Sequence, residues 1–114
     1  LQTNNQNIII YKTASLFSFA FTLGAIYSGK DIDFTDFKKM GYYFGIMFQL
    51  MDDFNDITTD SIENNYILSN GKNNSLKLYL DSHNKLINLL KTYNLYNNFF
   101  IELIDKLNSQ VPIN

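Results

Sequence analysis

FGIMFQLMDDFNDI, Phe44 to Ile57, runs from an apolar stretch straight into three carboxylates, Asp52, Asp53 and Asp56. Charge at the end of a segment that should be buried has two explanations. One is a solvated acidic corner, and the other is a binding site for something strongly positive, such as a divalent metal. Phe37, Met40, Phe44, Met47, Phe48 and Met51 recur at helical rather than alternating spacing. Residues three and four apart share a helical face, so Gln49, Asp52, Asp53, Asp56 and Asp60 form one polar stripe about three turns long. The same spacing predicts a helix from Asp36 to about Thr59.

Outward from this segment, the pattern stays helical. A frayed polar start, Leu1 to Asn7, precedes a helix from about Ile8 to Tyr27 that stops at Ser28-Gly29. In the connection that follows, Asp33 or Thr35 is placed to cap the next helix, and Asp31, Asp33 and Asp36 read as caps and solvated charge. Ser61 to Asn74 reads as a loop. A third helix is expected from Ser75 to about Leu90, on Leu76, Leu80, Lys85, Leu86, Leu89 and Leu90. A fourth runs from Asn94 to Gln110, on Leu95, Phe99, Leu103, Ile104 and Leu107. No strand alternation competes. The chain reads as one all-α segment, residues 1–114, in a helical bundle.

Composition removes several classes. Of 114 residues 46% are hydrophobic and only 18% charged, with a net charge of −2, so there is core material but no clustered cationic surface for nucleic acid. With no cysteine and one histidine, His83, thiolate and imidazole metal sites are out, and any metal must be a hard, oxygen-loving ion. His83 is expected on an exposed helix face without a role. The absence of disulfides makes a cytoplasmic setting the default. The apolar stretch Ala14 to Tyr27 is shorter than the ~20 residues of a bilayer span and reads as a buried core helix. Met40, Met47 and Met51 read as core.

The acidic stripe has chemical consequences. Crowded carboxylates repel one another, and their pKa values rise unless cations neutralise them. Mg²⁺ does this with one or two carboxylates, completing its shell with water and phosphate oxygens. DDxxD alone is a weak signal, because acidic helix faces are common. An aromatic-Gln-x-x-Asp-Asp-x-x-Asp run inside an otherwise apolar helix is far stronger. Lys12-Thr13 one helix upstream and Asn70-Gly71-Lys72 downstream add cationic and hydroxyl groups, the complement of a diphosphate.

KTASLF (Lys12 to Phe17), the glycine pair of GYYFG, FQLMDDFND (Phe48 to Asp56) and NGK (Asn70 to Lys72), in this order, resemble the C-terminal half of a trans-isoprenyl diphosphate synthase. The resemblance covers nearly the whole chain. It implies an all-helical bundle that joins an allylic diphosphate to isopentenyl diphosphate between two facing aspartate-rich motifs. Asp52 then resembles the principal Mg²⁺ ligand of the second motif, with Asp53 and Asp56 holding that site through waters and hydrogen bonds. Lys12 and Lys72 resemble the lysines that grip the allylic diphosphate. Thr13 and Gln49 resemble the polar groups near the forming allylic cation.

In the chain as given, the first aspartate motif and the residues that hold isopentenyl diphosphate are missing. The loop after the second motif has Asn64, Asn65 and Tyr66 where many members carry a lysine. The opening on Leu1 suggests a piece of a longer protein, whose N-terminal half or second subunit, as in a homodimer, would complete the cavity. Alone, the piece is expected to expose an apolar patch, to associate and to show no prenyl transfer. Three other readings compete: a non-catalytic family member that regulates a partner synthase, a terpene cyclase, and an unrelated helical interaction module. The Gln-to-Asp stripe has no purpose in the last. Cyclases carry a differently spaced motif.

Overall fold

The glycine pair fixes how the first two helices meet. The computed structural model describes residues 5–29 and 33–113. In it α1 (Asn5–Ser28) and α2 (Phe34–Asn55) pack antiparallel along most of their length. A β-carbon built on Gly41 would lie 2.3 Å from the Phe17 carbonyl oxygen, and one on Gly45 only 2.6 Å from Ala14 Cα. Only hydrogen fits at both positions, so the backbones touch and fully buried Ala14 fills the seam. α1 begins earlier than the periodicity indicates and ends where expected, at Gly29 with φ +66°. Asp33, not Thr35, caps α2 by accepting from the Thr35 amide at 2.9 Å. The expectations for Leu1 to Asn4 and for Asp31 lie outside the described residues.

Four expectations change from the end of α2 onward. The helix ends at Asn55 with Asp56 as its cap, so Asp60 is not on it. Ser61–Asn74 is not a loop: it contains a 3-10 turn (Ile62–Asn64), a short helix α3 (Tyr66–Asn70) and the start of α4 (Lys72–Thr92). The buried stripe of α4 is Ser75, Tyr79, Ser82, Leu86 and Leu90, whereas Leu80 and Lys85 face outward. Two serines on the buried face hide that stripe from a hydrophobic count. Ser75 satisfies its own hydroxyl by donating to the Gly71 carbonyl at 2.7 Å. α5 (Asn98–Asn108) starts at an Asn97 cap, later than expected, and buries Ile104 and Leu107 while Phe99 is exposed. No strand occurs among the described residues. The fold is an all-α bundle with its core between α2 and α4.

Met40, Met47 and Met51 are buried as expected. His83 is not a free surface residue. It is half-buried, and its Nε2 pairs with Asn108 Nδ2 at 3.3 Å, while Asn108 Oδ1 accepts from the Tyr79 hydroxyl at 2.7 Å. These bonds seat the end of α5 on α4.

α1 departs most from its expected burial. Ile8–Ser28 is long and apolar enough to cross a membrane, by length and composition, yet only 17% of its most apolar window is buried. Ile8, Ile9 and Ile10 extend the run that the reading from Ala14 cut short. One face packs on α2, while Leu16, Phe19, Leu23 and Ile26 are exposed on another.

The other end of the α2–α4 seam is pinned by the Tyr93 hydroxyl, which donates to Asp36 Oδ2 at 2.5 Å. This bond, then burial and the charges of Asp36 and Asp33, push the phenol up to about 12. A raised folded-state value means that the folded protein holds the proton more tightly than the unfolded chain. Stability from this group is therefore complete below about pH 10 and lost as pH rises towards 12. Denaturant midpoints between those pH values should fall in the native protein. That fall should be shallower in Tyr93→Phe.

Candidate functional site

Because Gly45 lets α1 touch α2, the short side chain of Thr13 reaches across the seam. Its hydroxyl donates to Gln49 Oε1 at 2.8 Å. One turn further along α2, Gln49 Nε2 donates to Asp53 Oδ1 at 3.0 Å. The other carboxylate oxygen of Asp53 accepts from the Tyr66 amide at 3.0 Å. A continuous relay thus runs from α1 through α2 to the first residue of α3. Asp53 is 3% exposed, the buried member of the aspartate set. Burial raises its pKa most, the Tyr66 and Gln49 hydrogen bonds lower it, and Asp52 and Asp60 raise it.

Asp52 behaves differently. Its carboxylate is open to solvent and has no hydrogen-bond partner among the described residues; the side chain of Asp56 is half-buried and likewise has none. Partial burial, then the charges of Asp56 and Asp60, raise the Asp52 pKa. Among the described residues no three carboxylate or imidazole groups converge closely enough to hold a metal by themselves. Two unpartnered carboxylates one turn apart, with the third turned inward, suit an ion that takes one or two protein ligands and the rest from phosphate and water. The donor set fits Mg²⁺ bound together with a diphosphate.

The two lysines stand apart from this arrangement. Lys12 is exposed and shares a helical face with Leu16, Phe19 and Leu23, about a quarter-turn round α1 from Thr13. Lys72 is exposed at the first position of α4, just after Gly71 with φ +88°. Neither forms an ion pair with Asp52, Asp53 or Asp56 among the described residues. The structure therefore joins Thr13, Gln49 and Asp53 directly and sets Asp52 and Asp56 beside them.

Beside the relay lies an apolar groove of about 310 Å³ between α1, α2 and α5, lined chiefly by Phe17, Phe44, Phe48, Met51, Leu103 and Leu107. Phe17 follows Thr13 by one turn, and Phe48 and Met51 directly precede Gln49 and Asp52. The residue that the sequence reading missed is Asn65. It is fully buried, caps α3 and donates to both the Asp53 carbonyl and Asp60. An Asn just ahead of the apolar Tyr-Ile-Leu is a helix-cap signal that the loop assignment passed over.

A family model described as polyprenyl synthetase matches residues 2–90. The match spans α1 to the end of α4's buried face and leaves α5 outside. Comparison with curated proteins and with solved structures returned no match.

Proposed function

The chain belongs to the polyprenyl synthetase family, and from that premise we propose that it supplies the Mg²⁺- and allylic-diphosphate-binding half of a prenyltransferase. The reaction would extend the allylic diphosphate by isopentenyl diphosphate. The observation that carries this reading is the division of labour among the aspartates: Asp53 is consumed by Gln49 and Tyr66, while Asp52 and Asp56 are free to bind. A non-catalytic regulatory subunit would have no use for unpartnered carboxylates that repel each other.

Asp52 and Asp56 would hold the metal, and Mg²⁺, when bound, supplies charge neutralisation on the diphosphate leaving group. Lys12 and Lys72 would add positive charge to that diphosphate. Thr13 and Gln49 present neutral dipoles where the allylic cation forms, which stabilise it without trapping it. The relay fixes the Gln49 amide, so its orientation costs nothing at the moment of reaction. The hydrocarbon chain would lie along the groove beginning at Phe17 and Phe48. The uncovered face of α1 would meet an N-terminal half or a second subunit, and a homodimer would provide one.

The test is prenyl transfer by the full-length protein with an allylic diphosphate and labelled isopentenyl diphosphate. Chain extension should stop with EDTA and return with added Mg²⁺. Extension undiminished by EDTA would contradict the proposal.

A further inference from the structure

The geometry points to Asn65 as the positioning residue that holds the carboxylate end of α2 and the Lys72 end of α4 in one fixed relation. The inference rests on the diphosphate-site reading above and adds to it a residue that touches neither metal nor substrate. Asn65 is fully buried, and all of its amide hydrogen-bonding capacity is used. Its Nδ2 donates to the Asp53 backbone carbonyl at 2.7 Å and to Asp60 Oδ2 at 3.2 Å. Its Oδ1 accepts from the Ile67 amide at 3.0 Å and from the Leu68 amide at 3.3 Å.

A capping oxygen alone would satisfy Ile67 and Leu68, and Ser or Asp could provide one. The two donated bonds are what require an amide. One of them grips a carbonyl that the last turn of α2 leaves without a helical partner, and the other holds the Asp60 carboxylate. The Asp53 carboxylate returns the grip by accepting from Tyr66, the next residue along. Residues 53 and 65–66 therefore clasp each other in both directions.

Beyond the clasp there is little slack. α3 is five residues long and ends at Gly71, whose amide donates to the Ile67 carbonyl at 2.8 Å, and Lys72 opens α4 immediately. The route from Asp52 to Lys72 is one short unit pinned at Asn65. Without the donated bonds, metal-side and lysine-side groups would move independently, and a ligand bridging them would have to order both on binding.

The experiment measures binding of inorganic pyrophosphate in the presence of Mg²⁺ by calorimetry on the full chain, together with helicity and melting. Asn65→Asp keeps shape and cap but turns both donors into an acceptor facing a carbonyl and the Asp60 carboxylate. Affinity should fall about 10–100-fold, the usual cost of loosening a group that orients a metal ligand. Asn65→Asp with Asp60→Asn restores only the pair between positions 60 and 65 and leaves the Asp53 carbonyl without its donor, so it should recover no more than part of the loss. Asn65→Ser, which keeps the cap and adds no charge, should lose affinity while remaining helical and provides the readout if Asn65→Asp does not fold. Native-like affinity in a folded Asn65→Asp or Asn65→Ser protein would overturn the inference and leave the functional reading standing. So would a loss that disappears once each variant is held well below its melting temperature. No Mg²⁺–pyrophosphate binding by the native chain would overturn the functional reading and this inference with it.

Discussion

Gly45→Ala is expected to lower the melting temperature by up to about 10 °C, and Gly41→Ala by at least as much, at roughly 4 °C per kcal/mol for a chain of this size. Alanine in a helix interior is ordinarily about 0.5–1 kcal/mol better than glycine. Here that gain is outweighed. The new methyl groups would sit 2.6 Å from Ala14 Cα and 2.3 Å from the Phe17 carbonyl oxygen. Both are backbone atoms that cannot rotate aside, so α1 and α2 must separate, and overpacking of this kind costs about 1–3 kcal/mol. Gly24 is the internal control: it lies in the same helix pair with nothing within 4 Å of its would-be β-carbon. Gly24→Ala should be stabilising. Thermal melts of the three variants decide the matter, and equal effects at positions 24 and 45 would refute the close seam. Separating the helices also pulls Thr13 from Gln49, so Gly45→Ala should lose activity beyond its loss of stability.

The second large effect divides the two adjacent aspartates. Asp52→Ala should lower turnover of the full-length protein by about 10²–10³-fold, since it removes a group that fixes the metal at the leaving group. The same change should stabilise the metal-free protein near neutral pH. The raised Asp52 pKa means that the fold penalises its charged form, through partial burial and then repulsion from Asp56 and Asp60. Asp53→Ala should do the reverse to stability. It leaves the Gln49 side-chain amide and the Tyr66 backbone amide without their acceptor, at about 1–3 kcal/mol for each unsatisfied group. Asp60→Ala should cost turnover much less than Asp52→Ala, because Asp60 lies beyond the helix and its Oδ2 is engaged by Asn65. Chemical denaturation beside steady-state kinetics separates these outcomes. Asp52→Ala and Asp60→Ala with equal turnover would show that the carboxylates face otherwise than described.

The sequence makes the helical class and the Gln49–aspartate stripe legible for a common reason. Each is written in spacing along a helix, which the backbone enforces, whereas Thr13 joined them only through the family resemblance. The roles within the stripe were harder to read. Three and four residues apart means a shared face, but it does not say which carboxylate turns inward. That depends on the Tyr66 amide, thirteen residues away and across a turn. α3 and the start of α4 were hidden because Asn-rich composition resembles a loop, although Asn65 and Gly71 are helix punctuation. The α4 stripe is hard to read because Ser75 and Ser82 are buried, with the Ser75 hydroxyl satisfied locally, which hydrophobicity does not register.

Asp52 and Asp56 offer too few ligands for Mg²⁺ alone and would bind it together with a diphosphate. Calorimetric titration of Mg²⁺ into the protein, with and without a non-hydrolysable prenyl diphosphate, tests it most directly. Binding of the metal alone should be weak, and binding with the diphosphate present at least about tenfold tighter, because phosphate oxygens complete the octahedron. Tight Mg²⁺ binding indifferent to the diphosphate would contradict it.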